Sequence, residues 1–316
     1  MMSRVVISAV DDNYVLPLLV MLHSAKKYSK NDFQFVLGYD PQSLSATNIN
    51  LIEECLTLLQ VPFSKICVTL KGRFEDNNHI TATAYARLPM ADVLSGTVLW
   101  LDADLICKPG WDEIFEFFDG GLGGKTVAGV RDSVNTSIQF LANTKNLAII
   151  KMQERYFNSG VLIIDCISWQ LLNTSERWPV VLQNYDNFGF QLSDQCVLNY
   201  LFVDSHRLLP SEYNVLAFYS SRTAREQAKI LHFAGPDKPW SYRRFSFKIL
   251  FSLLSRHDIW NYLDLEREFL RVVQRASRGN WKLLHSISHQ NKKEKLAAAY
   301  KKNAPIKRNL PPKDHL

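Results

Sequence analysis

The sequence predicts an α/β protein with a mostly parallel central sheet and a basic, helical C-terminal extension. Three observations carry this. β-Branched runs alternate with helical stretches through the first hundred residues, one apolar strand ends on a pair of aspartates, and the charge balance reverses near residue 240. Residues 5–10 read as a buried strand that runs into Asp11-Asp12-Asn13-Tyr14. Pro17 then opens an apolar helix to about residue 28, since proline is tolerated in a first turn. Strand, helix and strand follow near 33–38, 46–59 and 65–70, then a helix over 83–94 and a strand over 97–101. Neighbouring parallel strands need a crossover connection, which the intervening helices supply. Further strands are expected at 126–130 and 160–165, and a helix at 194–202. Beyond Trp240, residues 260–278 place Leu263, Phe269, Leu270 and Val273 at roughly helical spacing among charged residues.

At 316 residues the chain is long enough for one large domain with an appendage, and 47% hydrophobic with 22% charged residues is a globular composition. Five widely spaced cysteines (Cys55, Cys67, Cys107, Cys166, Cys196) with no CxxC pair argue against a zinc ribbon or a disulfide framework. They read as reduced, mostly buried thiols. The first apolar run is about seven residues long, and no stretch reaches the roughly 18 needed for a membrane span, so the expectation is a cytoplasmic, unprocessed protein. The net charge of +6 hides two unlike parts: residues 1–240 hold 20 basic against 25 acidic side chains, and residues 241–316 hold 17 against 6. A mildly acidic body with so basic an end suggests a catalytic part joined to something that meets an anionic surface.

The strand Val98-Leu99-Trp100-Leu101 delivers Asp102-Ala103-Asp104. Residues i and i+2 of a strand share a side, so both carboxylates can meet one hard cation, and ligands of open α/β sheets bind at such carboxyl ends. Further on, Leu231-His232-Phe233-Ala234-Gly235-Pro236-Asp237-Lys238-Pro239-Trp240 offers an imidazole, a glycine that lets backbone approach a ligand, and an ammonium suited to phosphate. Two carboxylates and one imidazole suit Mn²⁺ better than Ca²⁺ or structural Zn²⁺.

Six motifs in order make the chain resemble glycosyltransferase family 8, the retaining transferases that include glycogenin and bacterial lipopolysaccharide galactosyl- and glucosyltransferases. They are Asp11-Asp12-Asn13-Tyr14, Tyr85-Ala86-Arg87-Leu88, Leu101-Asp102-Ala103-Asp104, Phe157-Asn158-Ser159-Gly160-Val161, Asp194-Gln195, and His232 through Trp240. The resemblance runs from about Val5 to Trp240. It implies a single GT-A-type nucleotide-sugar-binding domain over 1–240, with 241–316 as a basic, aromatic-containing extension. By this resemblance Asp102, Asp104 and His232 would hold Mn²⁺, or Mg²⁺ in its place, against the diphosphate of a UDP-sugar. Asp11, Asp12, Asn13 and Tyr14 would surround the uridine, with His79 and Ile80 beside the nucleotide. Arg87, Ala103, Gly235 and Lys238 would meet the donor, Asn158, Ser159 and Gly160 would line its sugar, and Asp132 would be an acceptor- or sugar-side carboxylate. Asp194 would bind sugar hydroxyls, and Gln195 would stand on the sugar face opposite the leaving group.

The implied reaction moves galactose or glucose to a glycan or glycolipid acceptor such as lipopolysaccharide. A sugar-1-phosphate nucleotidyltransferase is the alternative enzyme, but it would carry a Gly-rich phosphate loop where this chain has Asp11-Asp12-Asn13-Tyr14. A non-catalytic sugar- or nucleic-acid-binding protein is the alternative of another class. Nucleic acid is not expected as a partner, because the positive charge lies in the tail without a recognised reading motif. Trp260, Trp281, Phe245, Phe247 and Phe251 lie among the 17 basic residues of 241–316, the mixture expected of a helix on an anionic bilayer. The expectation is therefore a peripheral enzyme on the inner face of the cytoplasmic membrane.

Overall fold

The structure is a computed structural model, which describes residues 4–69, 82–119, 121–132, 155–190, 192–235, 238–240 and 257–276. Its spine is a seven-stranded sheet in the order β3-β2-β1-β4-β7-β6-β8. These strands are β1 (Val5–Ala9), β2 (Gln34–Tyr39), β3 (Phe63–Cys67), β4 (Thr97–Leu101), β6 (Val127–Arg131), β7 (Phe157–Asp165) and β8 (His206–Leu209). β1 pairs in parallel with β2 and β4, and β2 with β3, as the alternating pattern predicts. β7 runs antiparallel to both β4 and β6. It also begins at Phe157, three residues before the expected start at 160, so Asn158-Ser159-Gly160 are strand residues. The reversal has a functional consequence. Because β7 runs backwards, its beginning lies beside the end of β4, and the Asp102 amide donates to the Gly160 carbonyl at 2.9 Å.

A second sheet of β5 (Leu105–Cys107), β10 (Ile230–His232) and β9 (Val215–Leu216) continues from that point. β5 and β10 are antiparallel with His232 opposite Leu105, and β9 pairs in parallel with Leu216 opposite His232. Strands of two or three residues leave too little pattern to be read from sequence. Helix α1 (Val15–Tyr28) is buried continuously from Val15 to Ala25, which fits a helix apolar on every side. It starts two residues before Pro17, which occupies its first turn. Helix α2 (Ala46–Leu58) is capped by Ser45, whose hydroxyl accepts from the Asn48 amide.

On the opposite face of the sheet lie α3 (Arg87–Val93), entered through a 3₁₀ turn at Ala82–Ala86, with α5 (Cys166–Leu171), α6 (Thr174–Gln183) and α7 (Ser193–Leu201). Helices α4 (Glu116–Asp119) and α8 (Arg222–Gln227) are short surface turns, and α9 (His257–Ala276) closes the described chain. α9 buries Ile259, Tyr262, Leu263, Phe269 and Val273 in the same core as α1. Tyr262 meets the rings of Phe233 and Trp240 at 5.7 and 5.3 Å, and Arg225 pairs with Asp258 at 2.5 Å. This corrects the expectation that the helix lies on a bilayer: its apolar stripe is already buried, and Trp260 packs beside it. Phe245, Phe247, Phe251 and Trp281 lie outside the described residues. None of the five cysteines is in a disulfide, and only Cys67 is exposed.

Candidate functional site

The carboxyl ends of β1 and β4, the start of β7 and the end of β10 meet around a cavity of about 410 Å³. The β4–β5 connection supplies Asp102 and Asp104, and β10 supplies His232, whose ligating atoms lie within 4.8 Å of one another. His232 Nε2 stands 3.3 Å from Asp104 Oδ1 and 3.9 Å from Asp102 Oδ2. Two carboxylates and an imidazole nitrogen facing one point on a polar wall fit a divalent cation. The Lys238 ammonium currently serves as counter-charge, bonded to Asp104 and to the Phe233 carbonyl. Burial opposes ionisation of Asp104, but the Lys238 ammonium beside it holds the carboxyl well below the usual range. Burial likewise pulls the Lys238 ammonium down, and the Asp104 carboxylate more than restores it, so Lys238 stays charged.

Arg87 joins this centre to the far end of the cavity. Only 2% exposed, it donates to Asp102 at 2.9 Å, to the Ser159 carbonyl and to the Ala84 carbonyl at 3.1 Å, and its Nε lies 3.1 Å from Asp194. Its guanidinium sits 4.4 Å over the Trp100 ring, and the Trp100 indole donates to Asp102 at 2.7 Å. Sequence reasoning assigned Arg87 to the donor alone; the structure shows it already holding two carboxylates. Trp100 was missed, although it lies on β4 only two residues before Asp102.

Asp194 and Gln195 enter from the first turn of α7, which begins at Ser193 with a left-handed φ of 44°. Asp194 is 4% exposed, and the oxygen of its carboxylate that meets Arg87 is Oδ2. Burial, opposed by Arg87 and reinforced by the Asp102 charge, pushes its carboxyl up to about 6. The Gln195 amide is fixed at both ends: its oxygen accepts from the Ser159 amide at 3.1 Å and its NH₂ donates to Asp132 at 2.9 Å. Asn158 and Asn214 are buried beside them, and Asn214 carried no sequence signal.

Of the first loop, Asp11 and Tyr14 line the cavity, Tyr14 edge-on to Trp240 at 5.8 Å. Burial raises the Tyr14 hydroxyl, with Lys238 opposing. Asp12 and Asn13 are not on the cavity wall. The Asp12 carboxylate accepts from the Ser45 amide at 2.8 Å, the Ser45 hydroxyl at 3.0 Å and the Asn48 side chain at 2.6 Å, fastening the loop to α2. The Asn13 amide donates to Asp11 at 2.8 Å. Ala103, Asp132, Ser159, Gly160 and Gly235 line the cavity, with Tyr219 standing near Gly235, whose φ of 90° favours glycine. His79 and Ile80 lie outside the described residues.

General stress protein A of Bacillus subtilis is similar to this chain, 24% identical over 257 residues that cover 75% of this chain and 87% of its own. A lipopolysaccharide 1,2-glucosyltransferase of Escherichia coli is 24% identical over 252 residues, 73% of this chain and 71% of its own. The crystal structure of the galactosyltransferase LgtC with donor and acceptor sugar analogues superposes with a TM-score of 0.65 at 22% identity, over 84% of this chain and 95% of that one. It shares the mixed α/β architecture described above. The sequence pattern of glycosyl transferase family 8 matches residues 5–244, so the chain belongs to that family and is a glycosyltransferase.

Proposed function

We propose that the protein transfers a hexose, galactose or glucose, from a UDP-sugar to a glycan acceptor with retention of anomeric configuration, using Mn²⁺. The observation that carries this reading is the convergence of Asp102, Asp104 and His232 at one end of a cavity whose other end presents Asp194 and Gln195. A divalent cation bound there supplies Lewis-acid stabilisation of negative charge on a departing diphosphate. Asp102, Asp104 and His232 are the residues that would hold it. Lys238, kept charged by Asp104, adds a cation at the same edge, so the leaving group needs no proton donor.

The Asp194 carboxylate lines the cavity and is suited to accept from sugar hydroxyls beside its ion pair with Arg87. Gln195, locked by Ser159 and Asp132, presents a fixed amide dipole to the cation-like anomeric carbon. An amide oxygen is a poor nucleophile, which favours front-face transfer through an ion pair over a stable covalent intermediate. Tyr14 and Asp11 would bound the nucleotide end. The acceptor is proposed to be lipopolysaccharide or another cell-surface oligosaccharide, by similarity to the named glucosyltransferase. Such an acceptor is consistent with a reaction at the inner face of the cytoplasmic membrane, with the basic residues of 241–256 and those beyond 276 as a peripheral contact.

A panel of UDP-hexoses incubated with Mn²⁺ and cell-envelope glycolipid tests the reading. Incorporation from UDP-galactose or UDP-glucose, giving an α-linked product by proton NMR, is the expected result. A β anomer would refute retention, and transfer from no UDP-hexose would refute the donor class.

A further inference from the structure

An imidazole holds a cation through the nitrogen that bears no proton, so the tautomer of His232 decides whether the cluster can work. That tautomer is dictated by three hydrogen bonds, and they begin at a group with no freedom. The backbone N–H of Gly160 only donates, and it meets Asn158 Oδ1 at 3.0 Å. Asn158 therefore turns its oxygen this way, and the Asn214 atom 2.8 Å from that oxygen has to be the NH₂ nitrogen. The other end of the Asn214 amide, Oδ1, then faces His232 Nδ1 at 2.9 Å. An amide oxygen only accepts, so Nδ1 carries the hydrogen and the lone pair of the neutral ring falls on Nε2, the nitrogen facing Asp104 and Asp102.

The three side chains are only 8, 4 and 4% exposed, so bulk water does not compete for these bonds. Nor can the ring slide away from them. It lies against the backbone of Gly160, where a Cβ would stand 2.7 Å from Nδ1. Asn214 itself is held between a 3₁₀ turn at Ser211–Tyr213 and β9, the strand paired with β10, so the amide sits at the edge of the sheet that carries the ring.

We propose that Asn214 is a positioning residue: it reads the orientation of Asn158 and locks His232 in the Nδ1–H tautomer, thereby setting the affinity of the Asp102–Asp104–His232 cluster for a divalent cation. The inference rests on reading that cluster as a cation site, and it is tested without any sugar donor. Nitrogen-15 NMR of histidine-labelled protein at pH 8, with the His232 signals identified by their loss in His232→Gln, is expected to show protonated Nδ1 and bare Nε2 in the metal-free native ring. Manganese titration followed by electron paramagnetic resonance is expected to show affinity lowered about 10- to 100-fold in Asn214→Leu. Asn158→Asp, whose carboxylate still accepts from both partners, should keep the Nδ1–H tautomer. An Nε2–H tautomer in the native protein, or native Mn²⁺ affinity in a folded Asn214→Leu variant, overturns the proposal. If Asn214→Leu does not fold, the tautomer of the native ring decides alone. Absence of UDP release with a correct tautomer and the expected Mn²⁺ titrations would instead strike the transferase reading.

Discussion

Arg87 lies between Asp102 and Asp194, with its guanidinium over Trp100, and carries a positive charge shared by the buried Asp194 and the half-buried Asp102. Removing one member of such a group leaves an uncompensated buried charge. Arg87→Met is expected to destabilise the fold by about 3–5 kcal/mol in urea unfolding, and a change near zero would show that the pair is not a support. Asp194 gives a second prediction. Its carboxyl is raised to about 6, so in metal-free protein a carbon-13 titration should place its midpoint near that pH. A raised acid favours the native state while protonated, and that contribution is lost as pH climbs from the ordinary aspartate range through about 6. Asp194→Asn should therefore show a flatter stability profile across that window. Gln195→Ala should lower kcat far more than it weakens UDP binding, because its proposed contact is to the reacting centre; equal effects on both would refute that placement.

Among the elements, β7 shows what a sequence conceals. A buried run reads as a strand whichever way it points, so 160–165 was legible as strand but its antiparallel direction and its earlier start were not. That direction brings Asn158–Gly160 beside Asp102, which explains why the motif was legible as a motif and not as a place. Asp102 and Asp104 were legible as a pair at the end of an apolar strand, although the structure places both in the β4–β5 turn and not in the strand itself. Asn214 was not, since a lone asparagine after a 3₁₀ turn looks like any loop residue and acquires its role only through β9 and β10. Asp12 errs in the opposite sense: its loop matches the family motif, yet its carboxylate serves the N-terminus of α2. At this scale the test is α9. Phe269 is fully buried against α1, and Phe269→Ala is expected to cost about 3–5 kcal/mol, whereas a helix merely resting on the surface would lose far less.

For the whole molecule, charge and burial divide the labour. The acidic body encloses the cavity, and the apolar face of α9 is spent on the core, so any membrane contact falls to the basic residues of 241–256 and those beyond 276. No helix among the described residues is long and apolar enough to cross a membrane. Full-length protein is expected to sediment with anionic vesicles at low salt more than a 1–276 truncation, and equal sedimentation would remove the tail from the account. The central claim is that the aspartate–aspartate–histidine cluster is the site where a nucleotide sugar is opened. It is tested most directly by UDP release from UDP-galactose and UDP-glucose in Mn²⁺, comparing native protein with Asp104→Asn and with native protein in chelator. The account predicts a turnover lowered by orders of magnitude in both, with the variant still folded. Native turnover in chelator, or in Asp104→Asn, would contradict it.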